Sequence, residues 1–223
     1  VGISIETRPD LISIEEIKKL REFGVTMVEL GVQNVFDHIL EKNKTNLNSE
    51  KVAKATQLLK DAGFKVMYHL MPNLLGANFK KDFQSFEKVF FDPKFKPDWI
   101  KIYPVEVIKG TQLYQLYRKG KYKPYSTKEL IELLIEVKKI VPGWIRIARI
   151  LRDIPIEKIE AGCKISNLRE VIKKEMEKRK IKCNCIRCKE VRENYDPKEK
   201  VYLFRQDYEA SGGKEIFLSF ENK

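Results

Sequence analysis

Histidine is nearly absent from this chain, with His38 and His69 the only two in 223 residues. No metal-ligand spacing links them, so each reads first as a satisfied core or loop histidine. Cysteine is scarce as well. Three of the four fall within one short turn, which excludes a disulfide scaffold and, in a reducing compartment, favours metal binding. No apolar run approaches the roughly 20 residues that span a bilayer, and a leader segment is not expected ahead of the first strand. A cytoplasmic protein without membrane association is expected. A glycine-rich phosphate loop is also missing, which removes the main support for an open doubly wound sheet. Acidic residues are in deficit, 32 against 44 Lys and Arg, leaving a net charge of +12. The excess does not determine a fold but favours polyanionic partners. A solvated basic surface is the plainer account.

What is present begins with alternating strand and helix signals. Gly2 to Glu6, Thr26 to Val32, Phe64 to Leu70, Trp99 to Tyr103 and Trp144 to Ile150 read as short apolar strands. Between them, helical spacing of apolar residues follows Ser13 (an N-cap with Glu16 three residues on) and recurs over Ser49 to Ala62, Phe79 to Phe91 and Thr127 to Ile140. Repeated βα units of this kind imply a parallel sheet with helices outside it, and polar residues at the strand ends suit a whole or partial (β/α) barrel. Beyond about Asp153 the pattern changes to a charged helix over Asn167 to Lys180 and the cysteine turn. Two further strands follow, Lys200 to Arg205 and Glu215 to Phe220, joined by a Gly212-Gly213 turn. The abrupt start at Val1 and the late strands suggest a segment of a longer protein.

The turn KCNCIRCKEVR holds Cys183, Cys185 and Cys188 in a C-x-C-x-x-C spacing. Such a turn can gather three thiolates around one soft cation, with zinc the sharpest reading and buried metal-free thiols the alternative. Cys163, about twenty residues upstream, is the only cysteine left for a fourth position. Asp, water or a residue outside the chain are the other options. Elsewhere, Glu6 and Arg8 lie at the end of the first strand in ETRPD, where a carboxylate can bind ribose hydroxyls or an amine, unless Arg8 merely pairs with Glu6 or Asp10 to shape the loop. Gln33 ends the second strand with an amide that both donates and accepts, and His69 ends the third. From Lys101 to Tyr125, six cations, among them Lys109, Arg118 and Lys121, are interleaved with Tyr103, Tyr114, Tyr117, Tyr122 and Tyr125. Cations meet phosphates and tyrosine faces stack on unpaired bases, so the composition suits looped RNA. An amphipathic helix with Leu113, Leu116 and some tyrosines in the core is the alternative. Arg146, Arg149 and Arg152 recur at every third residue. On an ideal strand Arg149 faces away from the other two.

The segments GISIETRPD, VELGVQNVFDHIL, PDWIKIYPVEVIKGTQLYQLYRKGKYKPYS, AGCKISNLRE, CNCIRCKEVR and RQDYEASGGKEIFLSFEN, in this order, resemble the catalytic subunit family of Elongator, the tRNA uridine-34 acetyltransferases, in its archaeal form. The resemblance spans essentially the whole chain. It implies a partial radical SAM (β/α) barrel over 1–152, a basic linker with a cysteine metal knuckle over 153–198, and the first strands of a GNAT-like acetyltransferase domain over 199–223. It further implies carboxymethylation of the wobble uridine, using S-adenosylmethionine radical chemistry, a 4Fe-4S cluster and acetyl-CoA as co-substrate. On that likeness Glu6, Gln33 and His69 bind S-adenosylmethionine. Lys101 and Tyr103 face the reaction chamber, and Lys109, Arg118 and Lys121 meet the tRNA anticodon stem-loop. Cys183, Cys185 and Cys188, with Cys163 as the fourth candidate, hold zinc. A homodimer or accessory Elongator-like subunits are the implied protein partners. The C-x3-C-x2-C run that ligates the cluster in radical enzymes is absent, so its ligands are expected outside this chain and the chain by itself is expected to be inactive. Two other readings stand beside this one: a non-catalytic, zinc-containing tRNA-binding module, and a different radical enzyme acting on porphyrins, against which the cysteine turn and the last segment speak.

Overall fold

A computed structural model describes residues 2–193 and 196–222. The linker expected over 153–198 therefore includes two residues, 194 and 195, that lie outside the described ones, as do the first and last residues of the chain. The chain runs β1 (Ile3–Thr7), α1 (Ile14–Glu22), β2 (Val25–Gln33), α2 (Asp37–Lys42), α3 (Ser49–Asp61), β3 (Lys65–Leu70), α4 (Phe79–Phe91), β4 (Trp99–Ile102), β5 (Val107–Ile108), α5 (Gln112–Arg118), α6 (Thr127–Ile140), β6 (Arg146–Ile150), β7 (Ile159–Ala161), α7 (Leu168–Lys178), α8 (Ile186–Lys189), β8 (Tyr202–Ala210) and β9 (Gly213–Glu221). Local chemistry sets the helix starts. Ser13, Asn48, Asn78 and Ser126 each accept a bond from the third residue of their helix, and Ser126 with Glu129 forms a reciprocal capping box. Gly24 and Gly63 follow the ends of α1 and α3 at φ of 73° and 77°, a conformation that favours glycine.

The main sheet has the order β1-β2-β3-β4-β6, every pairing parallel. Strands follow one another in sequence order without the reversal that a doubly wound sheet requires. This is an arc of a singly wound (β/α) barrel, left open at β1 and β6 among the described residues. Register divides the sheet into two chemically distinct faces. Val28, Leu30, Val66, Tyr68, Ile100, Ile102, Ile147 and Ile150 share one face and are all buried in the main core. Parallel strands ordinarily bury both faces. Here the other face carries Ser4, Glu6, Glu29, His69, Lys101, Arg146 and Arg149.

The three-residue spacing of the arginines hides a bulge. Trp99 pairs with Arg146 and Lys101 with Arg149, so β6 accommodates one extra residue, Ala148. An undistorted strand would place Arg146 and Arg149 on opposite faces. The bulge brings both to the polar face, and Arg152 falls beyond the strand.

The last two strands form an antiparallel ribbon paired from Tyr202–Glu221 to Ala210–Gly213. Its turn is Ser211-Gly212, at φ of 52° and 80°, one residue earlier than the glycine pair suggested. Positive φ at both positions matches the twist of a two-residue hairpin. Leu203, Leu218 and Phe220 on this ribbon are exposed. It is fastened to the barrel arc by Trp144 stacked on Tyr208 at 4.2 Å, by Lys60–Glu215 at 3.0 Å, and by the Ser211 amide donating to the Pro93 carbonyl at 2.6 Å. Among the described residues no helix is long and apolar enough to cross a membrane.

Candidate functional site

The polar face is built around Glu29, a carboxylate in the middle of β2. It pairs across the ladder with Glu6 on β1 and Met67 on β3, which places its side chain beside those of His69 and Lys101. The Lys101 ammonium donates to Glu29 Oε2, His69 Nε2 lies 2.6 Å from the same oxygen, and Ser4 Oγ donates to Oε1 at 3.0 Å. His69 Nδ1 lies 3.3 Å from Glu6 Oε1. Burial pushes the Glu29 carboxyl up, but the bonds from Lys101 and His69 and the lysine charge outweigh it. They hold the group below the ordinary glutamate range. Tyr103, directly after β4, sets its ring edge-on to His69 at 5.3 Å. Arg149 pairs with Asp153, and Tyr103 adds a smaller favourable influence on its charge.

Of the residues singled out in the sequence, Glu6, His69, Lys101 and Tyr103 are brought into this one network. Glu6 remains 65% exposed, so its carboxylate is available to a ligand. Arg8 turns away to Asp10, at 2.6 Å, and only shapes its loop. Gln33 sits at the mouth of the sheet with φ of 64°, and its carbonyl accepts from the Met71 amide at 2.8 Å. No hydrogen bond joins its side chain to the Glu29 network among the described residues. The shared element is Glu29, which the sequence signalled only as an acid inside the apolar strand VELGV.

The basic, tyrosine-rich segment divides. Lys109, Arg118 and Lys121 are exposed, with Lys109 3.7 Å from Glu160. Tyr122 and Tyr125 do not present free rings. Tyr122 is buried and donates to the Asn73 carbonyl at 2.8 Å, and Tyr125 donates to Asp82 at 2.6 Å. They close a polar layer in which burial pushes Asp82 up to about 6, against donation from Tyr125 and the Asn73 amide. Burial likewise pushes Glu106 up to about 8, against donation from the Cys163 amide. Helix α5 buries no residue completely, so Leu113 and Leu116 are only partly covered rather than core.

Cys183, Cys185 and Cys188 converge, with all three sulfurs within 4.8 Å of one another. Zinc with sulfur at about 2.3 Å needs tetrahedral neighbours about 3.8 Å apart, so the donor set fits one ion with little adjustment. Among the described residues no fourth His, Cys, Asp or Glu lies with them. Cys163 is elsewhere: it is buried in the main core, with its amide on Glu106 at 2.9 Å, and the geometry does not deliver it to the turn. The buried Lys138 ammonium donates to Cys188 at 3.3 Å, a cation placed to balance a thiolate-rich site. The turn lies along the outer edge of β6, where the Ile186 amide donates to the Ile145 carbonyl at 3.0 Å.

Comparison with known proteins agrees with this architecture. The model of the Radical SAM superfamily matches residues 1–86, and that of the Radical SAM C-terminal domain matches residues 97–178. A tRNA uridine(34) acetyltransferase of Methanocaldococcus infernus is 49% identical across 100% of this chain and 43% of its own length. The archaeal Methanocaldococcus infernus Elp3 with an N-terminal deletion superposes with a TM-score of 0.93, at 48% identity, over 100% of this chain and 54% of that one. The chain belongs to the Elongator catalytic-subunit family of radical SAM proteins. Within that family the human Elongator complex protein 3 is 38% identical across 100% of this chain and 41% of its own length. The chain thus spans about two fifths of the length of these curated Elongator relatives.

Proposed function

We propose that this chain is the barrel-arc and linker portion of an enzyme that modifies the wobble uridine-34 of tRNA at C5, with acetyl-CoA as acyl donor and S-adenosylmethionine as radical source. The observation that carries the reading is the network of Glu6, His69, Glu29, Lys101 and Tyr103 on an otherwise open sheet face. Half-buried charges cost free energy to take from water even when they pair with one another, and such a cluster of perturbed groups on an open face points to a functional site. A non-catalytic RNA-binding module would explain the basic surface but not this face.

In this reading Glu6, with its exposed carboxylate, and His69 hold S-adenosylmethionine through its amine and ribose hydroxyls, with Gln33 at the rim. Lys101 and Tyr103 stand toward the reacting uridine, Lys101 held by Glu29 and the Tyr103 ring set against His69. Cys183, Cys185 and Cys188 hold a structural zinc whose excess negative charge Lys138 offsets. Lys109, Arg118 and Lys121 contribute to the tRNA-facing surface. None of the three clustered cysteines lies on the polar face, and Cys163 is in the core, so these thiols do not fit a 4Fe-4S cluster at this site. The β8–β9 ribbon begins the acetyltransferase domain, and the thiols stay reduced in the cytoplasm.

The test uses a protein spanning the full length of the relatives, prepared anaerobically with tRNA, S-adenosylmethionine and acetyl-CoA. The expected result is iron–sulfur absorbance, release of 5′-deoxyadenosine and an acetyl-derived group on uridine-34. A protein showing neither the absorbance nor cleavage of S-adenosylmethionine would defeat the proposal.

A further inference from the structure

Between the end of β6 and the cysteine turn lies a cavity of about 560 Å³ that the proposed chemistry does not use. Its wall includes five cations, Arg149, Arg152, Lys164, Arg169 and Arg187, against two carboxylates, Asp153 and Glu170. Arg149 is paired with Asp153. The other four have no ion-pair partner among the described residues. Arg169 and Arg187 are held half-buried by single bonds to backbone, to the carbonyls of Ile147 at 3.0 Å and Ala148 at 2.9 Å, and the buried Arg187 Nε has no partner at all. Burial and the neighbouring Arg187 charge pull Arg169 below its ordinary value.

Neither of these adjacent guanidiniums bonds a carboxylate, and Glu170 acts on Arg169 only at a distance, so the pair favours an anion from outside the chain. The nearby thiols of Cys185 and Cys188 offset part of the charge. A three-thiolate zinc site carries about one net negative charge, however, and Lys138 already stands on Cys188 to meet it. The arginine charge on the cavity side is therefore offset only in part, by Glu170. Guanidinium forks match phosphate oxygens better than any other common anion, and the volume exceeds what a lone oxyanion fills and suits a nucleotide-sized group. Arg149 belongs to both places: it lines this cavity and sits directly across the ladder from Lys101.

We infer that this cavity is a phosphate-binding site for the RNA strand, taking the backbone phosphate of a nucleotide next to the one presented to Lys101. The inference rests on the RNA-modifying reading above. It adds a location: the strand crosses the edge of β6 and is gripped between the barrel arc and the cysteine turn, rather than lying only on the exposed lysines of the Lys101–Tyr125 segment.

The experiment measures anisotropy of a labelled RNA hairpin of anticodon stem-loop size with the 223-residue chain, across a salt series. Arg152→Ala/Lys164→Ala removes two exposed cations that hold no structural bond, so folding is preserved. Arg169→Gln probes the inner pair. Lys18→Ala/Lys54→Ala, on the outer helices, is the control. The double pocket variant should bind about tenfold more weakly, and its log–log salt slope should fall by about 1.5, as expected for two phosphate contacts. The control should match wild type. Wild-type affinity in both pocket variants would overturn the site while leaving RNA binding intact. No binding by the wild-type chain would sink this inference together with the RNA part of the functional reading. A parallel titration with acetyl-CoA separates a free phosphate from a strand. If Arg152→Ala/Lys164→Ala weakened acetyl-CoA and spared RNA, the strand assignment would be wrong.

Discussion

Serine at position 185 should strip the chain of its metal. Wild-type protein is expected to carry about one zinc per chain, and Cys185→Ser to carry less than about a tenth of that by elemental analysis. The effect is large for two reasons. Cys185 is the fully buried member of the triad and the hub of its turn, its carbonyl accepting from the amides of Cys188 at 2.9 Å and Lys189 at 3.2 Å. A serine hydroxyl there replaces a metal ligand with a buried polar group, which costs about 1–3 kcal/mol even before the ion is lost. Cys188→Ser, at the exposed member, should lose the metal with a smaller loss of stability, which separates ligation from packing. Cys163→Ser should keep its full zinc content, because that thiol belongs to the main core. Undiminished zinc in Cys185→Ser would remove the turn as a metal site.

The second large effect is expected from Glu29→Gln in the full-length enzyme: at least a hundredfold loss of uridine modification with tRNA binding unchanged. The amide keeps the shape and removes the charge that Lys101 and His69 share. Truncating such a half-buried pair should also cost about 1–3 kcal/mol of stability, between exposed and fully buried ion pairs. Its pH dependence has a definite sign. Because the Glu29 carboxyl is held below its ordinary 4.5, the pair's contribution is complete above about pH 4.5. It is lost as acidification passes through the lower folded value. Denaturation of wild type and Glu29→Gln should therefore converge on acidification, and constant separation down to low pH would show that the charge is not what stabilises. Activity within threefold of wild type would mean that Lys101 does not depend on Glu29 for its place.

Much of the barrel arc can be read directly from residue order. The helices over Phe79–Phe91 and Thr127–Ile140 have the limits their caps and apolar spacing predict, and the five strands lie where short apolar runs fall between glycines and caps. The convergence of Cys183, Cys185 and Cys188 follows from their spacing alone. Other features are set by tertiary structure and leave no local mark. The Ala148 bulge exists only in register with β4, so alternation puts Arg149 on the wrong face. Strands β5 and β7 pair Val107 with Ala161 and Ile108 with Ile159, partners more than 50 residues apart in the chain, with no periodicity in segments of two and three residues. Tyr122 and Tyr125 read as stacking platforms, yet they are recruited by Asn73 and Asp82 from another part of the chain. Glu29 was hidden because an acid within an apolar strand looks like a local exception until His69 and Lys101 arrive from the neighbouring strands.

The Trp144–Tyr208 stack has an optical consequence. The chain has two tryptophans, and the other, Trp99, lies beneath the Arg146 guanidinium at 5.2 Å on the polar face. In Trp99→Phe protein all indole emission would come from the ring that clasps the terminal ribbon to the arc. Its colour and lifetime then become a gauge of how firmly the two parts are joined, readable in milliseconds and without any substrate.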